Sequence, residues 1–83
     1  MEMDKNNSKF KVGDRISNGV YNVKVLGRTA ERIKMEVTHV ESGKVEIVSK
    51  KPKEGIMDIW GTNYPMEYVI LGKNKEIYSV FAN

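Results

Sequence analysis

Residues Ile33 to Lys50 read Ile-Lys-Met-Glu-Val-Thr-His-Val-Glu-Ser-Gly-Lys-Val-Glu-Ile-Val-Ser-Lys. Apolar and polar side chains alternate, pause at a glycine and alternate again, which is the pattern of a half-buried antiparallel hairpin. With Gly43 in the left-handed position of a three-residue loop, Val40 pairs with Lys44 and the rest of the register follows. Val37 then faces Ile47, His39 faces Val45 and Met35 faces Ser49, all on the dry side. Lys34, Glu36, Thr38, Lys44, Glu46 and Lys50 take the wet side, where Val40 and Val48 are the exceptions. One buried and one charged face predict a small sheet protein.

At 83 residues the chain has room for one domain. A chain of this size buries only about 60–65% of its unfolded surface, so the core is thin and self-association into a homo-oligomer would add burial. With no cysteine present, disulfides, thiolate metal sites and Cys nucleophiles are excluded. The polar start, Met-Glu-Met-Asp-Lys-Asn-Asn-Ser, has no apolar stretch of the kind that directs secretion, so a cytoplasmic location is expected. The longest apolar run, Tyr68 to Leu71, is far too short to span a bilayer, and no membrane partner is expected. A formal charge of +3 permits an anionic partner without demanding one.

Residues 1 to 8 read as a disordered tail, and residues 9 to 83 as a single β domain. A first strand is expected over Phe10 to Ile16, broken or bulged at Gly13-Asp14, and Ser17-Asn18-Gly19 turns the chain into a second over Val20 to Leu26. Tyr21, Val23 and Val25 share one face of that second strand. After a loop at Gly27 to Ala30 come the two strands of the hairpin, Glu31 to Val40 and Lys44 to Lys50. Lys51 to Gly55 is a connector, because proline cannot continue a ladder. Ile56 to Trp60 reads as a further short strand, and Gly61 to Pro65 as irregular, with Pro65 opening one helical turn through Val69. Val69 to Leu71 and Glu76 to Phe81 close the chain as a hairpin. This predicts an all-β fold, a small antiparallel barrel or strongly bent sheet of about six strands.

The segment Phe10-Lys-Val-Gly-Asp-Arg-Ile16 resembles the F-x-V-G-D-x-V opening strand of SH3-like barrels of the KOW and Tudor type. The resemblance implies a barrel and carries no function with it. It covers seven residues of 83, and the G-x-x-G-x-V continuation of those families is replaced by the Asn18-Gly19 turn.

Catalytic readings are weak. His39 is the only histidine, which leaves no His pair or His-based metal site, and its place on the apolar face favours a packed core-edge residue. Asp14, Asp58 and Glu67 are scattered. Ser42-Gly43-Lys44 lacks the further glycine and hydroxyl residue of a phosphate loop and reads as a turn. No enzyme activity, metal or cofactor is expected.

The basic residues offer more. Lys50, Lys51 and Lys53 cluster beside Lys34, Arg28 and Arg32 flank one loop, Lys73 and Lys75 sit on another, and Lys9, Lys11 and Arg15 make a third patch. Solvated lysines that guard sheet edges explain them equally well. Trp60, Tyr64 and Tyr68 fall in one short stretch, and rings beside cations are what single-stranded nucleic acid stacks against. Trp60, preceded by Ile56 and Ile59, reads more naturally as a core plug, whereas Tyr64 and Tyr68 stand open between plug and stacking platform.

The candidate binding residues are therefore Lys50, Lys51, Lys53, Trp60, Tyr64, Tyr68, Arg28 and Arg32. The expected partner is anionic: nucleic acid first, otherwise an acidic protein surface or a nucleotide-like ligand. The competing functions are a nucleic-acid-binding module, a small phage-type inhibitor or adaptor docking on a host protein, and an oligomer that sequesters a small nucleotide-like molecule.

Overall fold

The alternating segments do form strands, and strands consecutive within a sheet pair with one another. A computed structural model of the chain describes residues 8–73 and 75–82. Seven strands follow in order: β1 (Arg15–Ser17), β2 (Tyr21–Arg28), β3 (Ile33–His39), β4 (Val45–Lys50), β5 (Lys53–Ile59), β6 (Thr62–Ile70) and β7 (Glu76–Tyr78). A 3-10 turn, Ser79–Phe81, comes after them. The described strands make two antiparallel sheets, β1-β2-β3-β4 and β5-β6-β7, rather than one closed barrel. The fold is all-β. Of the expected N-terminal tail, residues 1–7 lie outside the described residues, while Ser8 bridges to Met66 of β6.

Period-two burial is clearest in β2 and β3. Val23, Val25, Ile33, Met35 and Val37 point inward and pack with Phe10, Ile16, Val69, Leu71 and Ile77. Tyr21, Val48 and Ala82 lean against this cluster. The core thus lies between the inner face of the four-stranded sheet and the C-terminal half of β6 with β7. Period two already turns Leu26 away from the inner face that holds Val23 and Val25; the bulge between Val25 and Gly27 shifts the residues after it and sets Arg28 opposite the buried Ile33.

The β3–β4 hairpin forms one residue out of the expected register. Val37 pairs with Glu46, Thr38 with Val45, Met35 with Val48 and Lys34 with Ser49. His39 N–H donates to Lys44 O, and Gly43 N–H donates to His39 O, so the loop holds four residues, not three. Gly43 does take the left-handed conformation, with φ of 76°. A slip of one reverses every side chain of β4. Val37 is buried as expected, but Val45 and Ile47 are each 53% exposed, and Val48 turns to the core instead. Lys50, which a three-residue loop would have set opposite Lys34, faces Ile33 instead.

Three further expectations change in the second sheet. Only Lys51 and Pro52 connect the sheets, because β5 already begins at Lys53. The helical turn expected after Pro65 is absent: β6 runs as an unbroken strand from Thr62 to Ile70. The Pro65 carbonyl accepts from Ser8 N–H at 3.1 Å, so the proline nitrogen, on the same side of the strand, faces away from β5 and no ladder donor is lost. Trp60 is not a core plug. It and Gly61 form the two-residue loop between the paired Ile59 and Thr62, and Trp60 is 97% exposed.

The two sheets and the N-terminal segment are tied together by one polar cluster. Glu67, only 5% exposed, receives Arg28 from the other sheet through both carboxylate oxygens, at 2.8 and 3.1 Å. Phe10 N–H donates to Glu67 Oε1 at 2.9 Å, and Arg28 donates to Phe10 O at 2.7 Å. Burial by itself pushes the Glu67 carboxyl up. The Arg28 and Phe10 hydrogen bonds, with the charges of Arg28 and Lys9, outweigh it and hold the group below its ordinary range. The hydrogen bond to Glu67 in turn raises Arg28, against a smaller opposing effect of its burial.

Candidate functional site: a cationic groove

The turn at Asn18-Gly19 sets what β1 and β2 present outward. Asn18 Oδ1 accepts from the N–H groups of Val20 and Tyr21, which closes a tight turn and pairs Ser17 with Asn22 and Arg15 with Lys24. Directly opposite residues share a face. Ile16 and Val23 go inward, so Arg15, Ser17, Asn22 and Lys24 face out. β3 extends the same rows with Thr38 opposite Asn22 and Glu36 opposite Lys24. These residues line a shallow, open groove of about 440 Å³.

Two cations directly opposite one another destabilise a sheet. The ion pairs among the described residues are Arg28–Glu67 and Lys44–Glu46, and neither involves Arg15 or Lys24. Glu36 neighbours Lys24 across the strand without forming an ion pair with it. Hydroxyl and amide groups from Ser17, Asn22 and Thr38 surround the two charges. Cations beside uncharged donors, on rigid strands, make a surface suited to phosphate oxygens.

The structure disperses the residues singled out in the sequence. Arg28 is committed to Glu67. Arg32 donates from Nε to Ser49 Oγ and from its terminal nitrogen to Ser49 O, at 3.0 and 3.1 Å. Lys51 lines a pocket with Lys9, Arg28 and Glu67, while Lys50 lies opposite Ile33 at the end of β4. Lys53 is brought to an aromatic ring: it pairs with Tyr68, which pairs onward with Tyr78 at 5.9 Å between ring centroids. Tyr64 lies farther along the same face, opposite Met57. Trp60 stands at the far end of the hairpin, about 23 Å of strand from Lys53. Lys53, Tyr68 and Tyr78 therefore form one small platform that Trp60 does not join.

Tyr68 has a second task. A Cβ on Gly55 would stand 3.2 Å from its ring, so the ring lies over the glycine and covers exposed backbone at that point of β5. Tyr78 donates its hydroxyl to Glu76, which raises the Tyr78 phenol above its ordinary value. His39 Nδ1 lies 3.0 Å from Ser42 Oγ, and its ring rests 5.5 Å from Tyr21, the packing of a core-edge histidine.

The Arg15–Lys24 pair escaped the sequence reading, which grouped Arg15 with Lys9 and Lys11. Counting outward from Asn18-Gly19 as a two-residue turn would have set Arg15 opposite Asn22; it is the closure of Asn18 on Tyr21 that brings Arg15 to Lys24. Among the described residues, no group of three or more His, Cys, Asp or Glu is placed to hold a metal ion. No described helix is long and apolar enough to cross a membrane. No protein-family model matches the chain, and no curated protein or solved structure is similar enough to count as a match.

Proposed function

We propose that the chain is a non-enzymatic binding module for an anionic partner, and that a nucleic acid lies across the outer face of the four-stranded sheet with its phosphates at Arg15 and Lys24. One observation carries this reading: two cations held directly opposite each other beside Ser17, Asn22 and Thr38, with no ion-pair partner among the described residues. A phosphate offsets the repulsion that the sheet otherwise bears. The groove is open, which favours a polymer lying across it over a small ligand that needs enclosure. The sheet that opens after Phe10–Ile16 is read as a variation on the SH3-like plan, and the protein as cytoplasmic.

The test is the salt dependence of oligo(dT) binding, followed by fluorescence anisotropy. Losing two phosphate contacts makes the slope of log K against log salt shallower by about 1.4 for a single strand. The double variant Arg15→Ser, Lys24→Ser should show that change and weaker binding. An unchanged slope refutes the groove. A second reading rests on the Lys53–Tyr68–Tyr78 platform. If the slope flattens only when Lys50, Lys51 and Lys53 are replaced by serine, the strand binds there instead.

A further inference from the structure

The β5–β6 hairpin carries chemistry opposite to that of the groove. Between Lys53 and Lys73 there is no Lys, Arg or His, yet Glu54, Asp58 and Glu67 fall within that span. Glu67 is occupied by Arg28, which leaves Glu54 and Asp58 exposed. Period two places Glu54, Ile56 and Asp58 on one face of β5, and Ile56 is 68% exposed. At the tip, Trp60 holds φ of 55° and Gly61 φ of 82°, the positive pair of a type I′ turn. A bulky residue at the first of these positions, where Asn or Gly is preferred, is a backbone outlier. Retained strain of this kind is found where a side chain must be presented, and here it presents an indole ring almost entirely to solvent.

Acid alternating with apolar side chains does not suit a phosphate polymer or an anionic lipid surface. It does match the outer face of the chain's own four-stranded sheet. One cross-strand row there reads Arg15, Lys24, Glu36, Ile47, and the next reads Ser17, Asn22, Thr38, Val45. Cations stand at one side of that face, and the half-exposed Val45 and Ile47 at the other.

From this match we infer that two copies of the chain dock reciprocally, each laying its β5–β6 hairpin on the outer sheet face of the other. Trp60 then covers Val45 and Ile47, Asp58 and Glu54 reach Lys24 and Arg15, and Ile56 packs between these two ion pairs. Reciprocity follows from area. One indole withdraws only about 150–250 Å² from water, whereas a stable interface needs about 1,200 Å² in total, so a two-fold arrangement that uses every contact twice is required. A docked hairpin and a phosphate chain would compete for the same groove, which makes the dimer a self-masked form. The docking itself does not rest on the anion-binding reading.

The experiment is sedimentation velocity on the full chain and on three surface variants, with circular dichroism to verify the fold of each. Trp60→Ser should raise the dimer dissociation constant about tenfold or more, as loss of a central tryptophan does. Asp58→Lys and Lys24→Glu, each alone, should be monomeric where the parent is a dimer, because each sets like charges against one another. Mixed in equal amounts they should dimerise again, since the ammonium introduced by Asp58→Lys on one chain then meets the carboxylate introduced by Lys24→Glu on the other, while the second arm stays native. A parent chain that remains monomeric up to about 1 mM overturns the inference. So does a Trp60→Ser variant that associates like the parent, or a mixture that stays monomeric. Oligo(dT) affinity of Trp60→Ser, measured at concentrations where the parent is also monomeric, should be unchanged, which keeps the two readings separable.

Discussion

Removing the Glu67 carboxylate should cost more than any surface change, because that group holds both sheets and the N-terminal segment. Glu67→Ala strips Arg28 of both its carboxylate bonds and leaves the buried Phe10 N–H without its acceptor. Breaking a fully buried ion pair costs about 3–5 kcal/mol. The Arg28 side chain keeps 21% exposure and can turn partly to water, which brings the expected loss to about 2–4 kcal/mol. A chain of this length has only about 4–12 kcal/mol in total. Urea unfolding followed by far-UV circular dichroism is the suitable assay, since Trp60 is already exposed in the folded state and its fluorescence reports little. Replacing both partners with apolar residues, as in Arg28→Met with Glu67→Leu, should recover part of the loss, because no unpaired charge remains. The pH dependence has a definite sign. The folded Glu67 pKa is depressed from 4.5, so its contribution is complete above about pH 4.5 and falls away as pH drops through the lower folded value. Glu67→Gln should flatten that acid limb. A loss below about 1 kcal/mol for Glu67→Ala, or strict additivity in the double variant, refutes the view that this pair joins the sheets.

Other expectations follow from register and backbone. Val37→Ala should destabilise by about 2 kcal/mol through lost burial and a cavity, whereas Ile47→Ala should stay within about 0.5 kcal/mol; equal losses would restore the three-residue loop. Gly43→Val should cost about 1–2 kcal/mol in the same urea assay, since a β-branched residue resists the φ of 76°. Trp60→Asn should raise stability by about 0.5–1.5 kcal/mol while weakening self-association as Trp60→Ser does, because Asn suits the first position of the type I′ turn; a destabilised variant would show that the indole is held by the fold itself.

Local sequence determined the class of this fold and most of its punctuation. Strict alternation in β2 and β3 puts Val23, Val25, Met35 and Val37 on one side whatever surrounds them, and Asn18-Gly19 and Gly43 permit the backbone angles that their turns need. The β4 register lay beyond that kind of signal. Val45 and Ile47 occupy one parity and Val48 the other, so period two is satisfied either way, and the choice rests on a single residue of loop length. The tertiary structure places the richer parity outward, where it forms part of the proposed interface. Such local conflicts gather where a surface has work other than folding. Trp60 misled for a related reason: hydrophobicity marks a ring for burial, but only the pairing of Ile59 with Thr62 shows that this one sits at a turn with nothing above it. Pro65 reads as a breaker until Ser8 is found on the side of β6 where its missing N–H points. Arg28 and Glu67 are 39 residues apart in the chain, and Arg15 and Lys24 nine. A charge's partner is set by which strands adjoin, and for pairs like these the sequence supplies the groups while the packing of two sheets decides whether they meet each other or a partner.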